Sequence, residues 1–196
     1  MGTVVADMSM SLDGFIADPD DGVGSLFDWY GNGSVEYTFP GNGMPARVSE
    51  PSAGHLARIV SELGALVVGR RLYEVAHAWD GSHPAGVPVF VVTHTPPESA
   101  PSGSTPLTFV TEGVESAIAQ AQAVAGERSV GIASANVAAQ ALDAGLLDVI
   151  QASVVPVLLG RGIPFFSGLA RYPVMLEDPV IVPGSRVTHM YFRVRR

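Results

Sequence analysis

Apolar positions along this chain follow two rhythms, and the change from one to the other predicts its elements. Residues 3–12, TVVADMSMSL, read as a strand that breaks at Asp13-Gly14, with Phe15, Ile16 and Ala17 placed to resume it. Between 49 and 63 the period lengthens: Leu56, Ile59, Val60 and Leu63 share a helical face behind a start at Ser49 and Pro51. The run 64–69, GALVVG, predicts a short buried strand and 70–78 a short helix. VPVFVVT at 87–93 is a strand stopped by Pro96-Pro97, and 107–110 is another. Residues 113–125 return to helical spacing, with Val114, Ala117, Ile118, Ala121 and Val124 on one side. A strand at 129–133 then feeds a helix to about Ala144, with Ser134 at its cap. Beyond it, 147–159, 173–183 and 186–194 are β-rich, the last alternating as VTHMYFRVR, which predicts antiparallel strands. Without repeat or linker, the chain reads as one α/β domain over 1–196 on a mixed sheet.

One stretch fits neither rhythm. Residues 18–33, DPDDGVGSLFDWYGNG, make a connection long enough to be either a lid or a plain surface excursion. Trp29 within it is either an anchor packed on the core or a cover for a flat ligand. The acidic start resembles a calcium loop, but the glycine and glutamate that such a loop needs are replaced by Val23 and Trp29.

Two strand-to-helix junctions carry the candidate chemistry. In VVGRRLYE (67–74) a strand ends at Gly69 and two arginines open a helix; VGIASANV (130–137) repeats the layout. Such corners aim backbone N–H groups, and here guanidinium charge, at phosphate oxygens. Solvated arginines at an ordinary helix start are the alternative. The second corner lacks the G-x-G-x-x-G spacing of a Rossmann domain. Thr93-His94-Thr95 closes a strand where ligands of open α/β sheets bind, or else supplies turn chemistry before Pro96. Asp13 is either a turn residue or a carboxylate at a pocket rim.

Composition narrows the classes. Charged residues at 15% against 47% hydrophobic exclude a disordered chain. A net charge of −8 argues against nucleic acid and against anionic membranes, while leaving room for a phosphate ligand held by local arginines. The absence of cysteine excludes disulfides, thiolate zinc and a cysteine nucleophile. The N-terminal segment lacks a basic region followed by a long apolar one, and no apolar run approaches the roughly 20 residues of a membrane span, so a cytoplasmic protein is expected. The five histidines are scattered, with no H-E-x-x-H, so no metal is expected. No G-x-S-x-G elbow appears.

Five segments together resemble one family: MSLDGFIA (10–17), VVGRRLYE (67–74), VPVFVVTH (87–94), FVTEGVESAIAQA (109–121) and AGLLDVIQASVVPVLLGRGIPFF (144–166). The chain resembles the dihydrofolate reductase-like superfamily, and within it the reductases related to the C-terminal domain of the bifunctional riboflavin-biosynthesis deaminase-reductase. The resemblance implies a mixed, mainly parallel sheet of about eight strands flanked by helices, with antiparallel C-terminal strands. It implies NADPH as cofactor, a small heterocyclic or sugar-derived substrate reduced at C=N or C=O, as by 5-amino-6-(5-phosphoribosylamino)uracil reductase, and a homodimer. Carried over by position, Ile16 and Ala17 would face the nicotinamide. Gly69, Arg70, Arg71 and Leu72 would meet the phosphates, and Thr93, His94 and Thr95 the adenosine phosphate. Ala133, Ser134, Ala135, Asn136 and Val137 would form the pyrophosphate turn. Asp13 is the candidate proton donor, and Asp13, Trp29 and His55 are the substrate-side candidates.

The chain also departs from the family. Ala133-Ser134 stands where Gly-Gly is common, and Leu147-Asp148-Val149 where Leu-X-Asp-Glu is common. Folate reductases place a carboxylate within the first helix, whereas AGHLARIVS here has none. A non-redox small-molecule binder, or a cofactor-independent enzyme on the same scaffold, is the alternative.

Overall fold

The computed structural model describes residues 2–195. In chain order its first half contains β1 (Val4–Ser11), β2 (Phe15–Ala17), a 3-10 segment (Gly24–Gly31), β3 (Val35–Thr38), β4 (Pro45–Val48), α1 (Glu50–Glu62), β5 (Leu63–Gly69) and α2 (Arg70–Val75). The second half contains β6 (Val89–Val92), β7 (Leu107–Val110), α3 (Val114–Ala125), β8 (Ser129–Ile132), α4 (Ala135–Asp143), β9 (Val149–Val155), β10 (Ile163–Pro164), β11 (Val180–Gly184) and β12 (Val187–Arg193).

Eight strands share one sheet in the order β11-β12-β9-β1-β8-β5-β6-β7. From β9 through β7 every neighbour is parallel, while β12 and β11 run antiparallel at one edge. This is the mixed, mainly parallel sheet expected from the sequence. β1 sits near its centre, between β8 and β9, and its residues alternate between two environments. Val4, Ala6 and Met8 enter an apolar cluster with Ile118 of α3 and Val137 and Leu142 of α4. On the opposite face a second cluster joins Leu26 and Trp29 of the 3-10 segment to Phe39, Val48, Leu56 and Val187.

Three segments differ from the sequence expectation. The region 18–48 holds the 3-10 segment and the β3–β4 hairpin, neither of which the glycine- and aspartate-rich pattern announces. Within 173–183, Pro173 and Pro179 interrupt pairing, leaving one bridge from Leu176 to Val194 before β11 begins at Val180. The helix expected over 70–78 stops at Val75, because His77 to Asp80 adopt left-handed backbone with φ between 47° and 52°. Each such residue costs of the order of 1 kcal/mol and persists only where its surroundings hold it. Here Ala78 is buried in a third apolar cluster, and the Thr105 N–H donates to the Gly81 carbonyl at 3.0 Å.

The buried face of α1 is partly polar, carrying Ser52 and His55 beside Leu56. Ser49 occupies the N-cap position, but its hydroxyl lies 3.0 Å from Ser52 Oγ and makes no cap bond.

Candidate active site

Parallel strands feeding helices leave a crevice beyond their C-terminal ends. Here it is a cavity of about 850 Å³. Its wall includes the β5–α2 corner (Gly69, Arg70, Arg71, Leu72), the segment after β6 (Thr93, His94, Thr95), the β8–α4 corner (Ala133 to Val137), and Ile16 and Ala17 of β2. All the residues named above as cofactor-side candidates therefore line a single space. The two corners touch: the Gly69 N–H donates to Ser134 Oγ at 2.9 Å. Ser134 thus fills the N-cap place of α4 without capping it. The first-turn N–H groups of α4, which have no partner within the helix, remain for an anion.

The side chains around this crevice are already partnered. Arg70 Nε donates to Glu74 Oε1 at 2.6 Å and its Nη1 to the Thr95 carbonyl. Arg71 Nε donates to Asp21 Oδ1 at 2.7 Å, which raises the guanidinium pKa further. Both pairs are exposed, so an arriving phosphate competes with them at little cost. Thr93 spends its hydroxyl on its own turn, donating to the Thr95 carbonyl at 2.9 Å and accepting from the Thr95 N–H at 3.2 Å. The crevice fits a dinucleotide in size, in its paired backbone corners and in its two arginines.

A second cavity of about 950 Å³ opens on the sheet face turned toward α1. It meets the first at Asp7, Phe27 and Ala133, which line both. Asp7 is the ionisable group at this seam. Burial pushes its carboxyl up to about 6, against the opposing effects of the Gln151 amide and of Arg58.

The three substrate-side candidates line neither cavity. Asp13 accepts from the Leu159 and Gly160 N–H groups at 3.2 and 2.7 Å, clamping a turn at the surface. The Ser11 hydroxyl and then these amides hold its carboxyl below the usual range, the wrong direction for a proton donor. Trp29 is buried and donates its Nε1–H to Ser9 Oγ at 3.2 Å, so it anchors the 18–33 segment and does not cover it. The aromatic side chain of that segment at the seam is Phe27. His55 is buried and stacks on His189 with centroids 3.7 Å apart, its Nδ1 paired with the Tyr191 hydroxyl. His189 in turn lies 3.0 Å from Ser52 Oγ and 2.9 Å from Ser153 Oγ. Burial holds both rings neutral, His55 down to about 3 with help from His189 and Arg58, and His189 down to about 4.

Asp7, Gln151 and Phe27 are site residues that the sequence reading missed. The available signal was an aspartate in the middle of an otherwise uncharged strand, VVADMSMS. Asp148 has a structural part, accepting from the Val4 N–H at 3.0 Å. Among the described residues no group of three or more His, Cys, Asp or Glu could hold a metal ion, and no helix is long and apolar enough to cross a membrane.

A sheet of this order, with a crevice over its parallel strand ends, defines a dihydrofolate reductase-like protein. The chain belongs to the RibD C-terminal domain family, whose model matches residues 2–177. A candidate riboflavin biosynthesis protein from Shewanella sp. PV-4 is 24% identical with a TM-score of 0.71, each chain covering 100% of the other. Dihydrofolate reductase from Enterococcus faecalis, solved with NADP(H), is 16% identical over 99% of this chain and 96% of its own, with a TM-score of 0.59. The riboflavin biosynthesis reductase of Saccharomyces cerevisiae is 13% identical over 99% and 90%, also at 0.59. At these identities the likeness is one of fold. Comparison with curated proteins finds no match.

Proposed function

We propose that this protein is an NADPH-dependent reductase of a small heterocyclic or sugar-derived substrate. The observation that carries the reading is the seam at Asp7, Phe27 and Ala133, where a dinucleotide-sized crevice and a second cavity share a wall. Family membership and the fold shared with an NADP(H)-bound reductase support it. When bound, NADPH supplies the hydride that reduces a C=N or C=O carbon. The backbone corners at Gly69 and Ser134 hold the diphosphate, and Arg70 and Arg71 compete for its charge. Ile16 and Ala17, which line the same crevice, would wall the nicotinamide end. Asp7 takes the place expected of Asp13: its carboxyl, half protonated at a pH of about 6, holds the proton that the substrate heteroatom receives. A homodimer would use the edge strand β11, where Val180 and Ile181 are exposed.

Titration with NADPH and NADH tests the reading. Binding of neither at millimolar concentration would end it. Where NADPH binds, Arg70→Ala and Arg71→Ala are expected to weaken it about 10- to 100-fold, the worth of one charge-assisted phosphate contact. The arginine that reads the 2′-phosphate is the one whose loss spares NADH. The second reading, a non-redox binder on this scaffold, draws on Asp21, whose carboxylate occupies Arg71 at the phosphate end. It predicts ligand binding in the second cavity without NADPH affinity.

A further inference from the structure

Two of the chain's three asparagines precede glycine: Asn32-Gly33 and Asn42-Gly43. In such a pair the glycine nitrogen can attack the asparagine carboxamide, because no Cβ shields that nitrogen and the glycine backbone turns freely. The attack needs room to close a ring, so local structure decides which pair reacts. The two pairs sit in opposite surroundings.

Asn42 and Gly43 are exposed at the tip of the β3–β4 hairpin. Gly43 has a φ of 74°, and a Cβ built on it would meet nothing within 4 Å. The Met44 N–H donates to Asn42 Oδ1 at 3.0 Å. The turn closed by that bond contains both Asn42 Cγ and the Gly43 nitrogen, so it keeps the two reacting atoms together and draws electrons from the side-chain carbonyl. The Gly43 N–H donates to the Phe39 carbonyl at 3.0 Å and must release it first. At a hairpin tip such a bond opens by local fluctuation. The hairpin keeps its place meanwhile: Phe39 is buried, and the Gly41 N–H donates to the Pro84 carbonyl at 2.8 Å.

Asn32 ends the 3-10 segment, and its Nδ2 is buried. A Cβ on Gly33 would lie 1.9 Å from the Val48 carbonyl carbon and 2.2 Å from its oxygen, so the Gly33 backbone is pressed against β4. Closing a ring there requires β4 to move. Val48 is held by its pairing with Val35 and by the apolar cluster around Leu26 and Leu56.

We propose that Asn42 is a site of spontaneous modification, converting to aspartate and isoaspartate by attack of its own backbone, and that Asn32 is spared. Hydroxide takes the Gly43 proton, and the nitrogen forms a bond to Asn42 Cγ. The Cγ–Nδ2 bond breaks, and Nδ2 leaves as ammonia with a proton from water. The cyclic imide that remains is opened by a water molecule. Opening at Cγ restores the main chain and gives aspartate; opening at the backbone carbonyl carbon routes the chain through Cβ and gives isoaspartate. No oxidant or reductant takes part. Either product adds a negative charge between Phe39 and Met44, which both line the second cavity, and isoaspartate also lengthens the turn by a backbone atom. The reaction needs neither cofactor nor substrate, so it stands apart from the reductase reading.

The test ages the full chain at mildly alkaline pH and maps it by mass spectrometry. Cleavage after Glu36 puts the two asparagines on separate peptides. Product at Asn42 is expected to accumulate about ten-fold or more faster than at Asn32. In urea, where neither surrounding survives, the two rates are expected to converge to within about two- to three-fold. Reaction at Asn32 as fast as at Asn42 in the folded chain, or an Asn42 that stays intact while the unfolded chain converts, overturns the proposal. A contrast of the same size in urea also overturns it, since it would then owe nothing to the fold. Asn42→Gln is expected to remove the acidic species that anion exchange resolves in aged protein, and Asn32→Gln to retain it; the reverse pattern overturns the proposal as well.

Discussion

The two faces of β1 have been put to different uses. Val4, Ala6 and Met8 meet α3 and α4 in an apolar cluster. Asp7 and Ser9 on the other face continue into Gln151 and Ser153 on β9 and Tyr191 and His189 on β12. Both faces are covered, so the alternation along this strand does not separate inside from outside. It separates a surface that packs from one that holds polar groups at fixed spacing. The first contributes stability through area and close contact; the second brings Asp7, Gln151 and Tyr191 to the wall of the second cavity.

Substitutions sharpen that contrast. Ile118→Ala, at a residue 1% exposed beneath the packing face, is expected to cost about 2–5 kcal/mol in urea unfolding and to leave ligand affinity in the folded fraction unchanged. An equal effect on both would blur the division. Asp7→Asn on the other face should do the reverse. The Asp7 pKa is raised from 3.8 to about 6, so its contribution to stability is full below the first value and is lost as pH rises through the second. Removing the charge is therefore expected to stabilise the protein by about 1–3 kcal/mol at pH 7, while turnover falls about 100-fold or more.

The histidines give the opposite slope. His55, His83 and His189 are held neutral, with values of about 3, 4 and 4, so their contribution is present above about 6.5 and is lost as pH falls toward 4. Wild type should lose stability on acidification, and Asp7→Asn should lose it more steeply between pH 6 and 4, because the compensating Asp7 carboxyl is gone. Unfolding midpoints measured across that range check both signs. The smallest effect concerns the rim: Asp21→Asn frees Arg71 and should raise NADPH affinity about two- to five-fold with little change in Tm.

The sequence was most legible where a single periodicity governs. The helices at 50–62 and 114–125 and the strand at 63–69 lie within a residue or two of their apolar patterns. The residues lining the first cavity were legible because most of them sit where strand rhythm gives way to helix rhythm, and such junctions line up along one edge of a parallel sheet. The second cavity was not legible. Its members come from β1, β5, β8, β9 and β12, from α1 and from the 3-10 segment among others, so strand order is what brings most of them together, and strand order is a long-range property. His55 and Trp29 misled for a related reason: a polar or aromatic residue in a functional neighbourhood has the same letter whether it faces ligand or, as here, a stacked ring and a serine hydroxyl.

The single bond from Gly69 to the Ser134 hydroxyl has a kinetic and energetic corollary. It ties two separate strand ends into one frame, whose width is inherited from the pairing of β5 with β8 and not from flexible side chains. A frame of that sort is preorganised: an incoming anion has little backbone to reorder, so association should approach the speed of an encounter, and discrimination among anions should show in how long each stays.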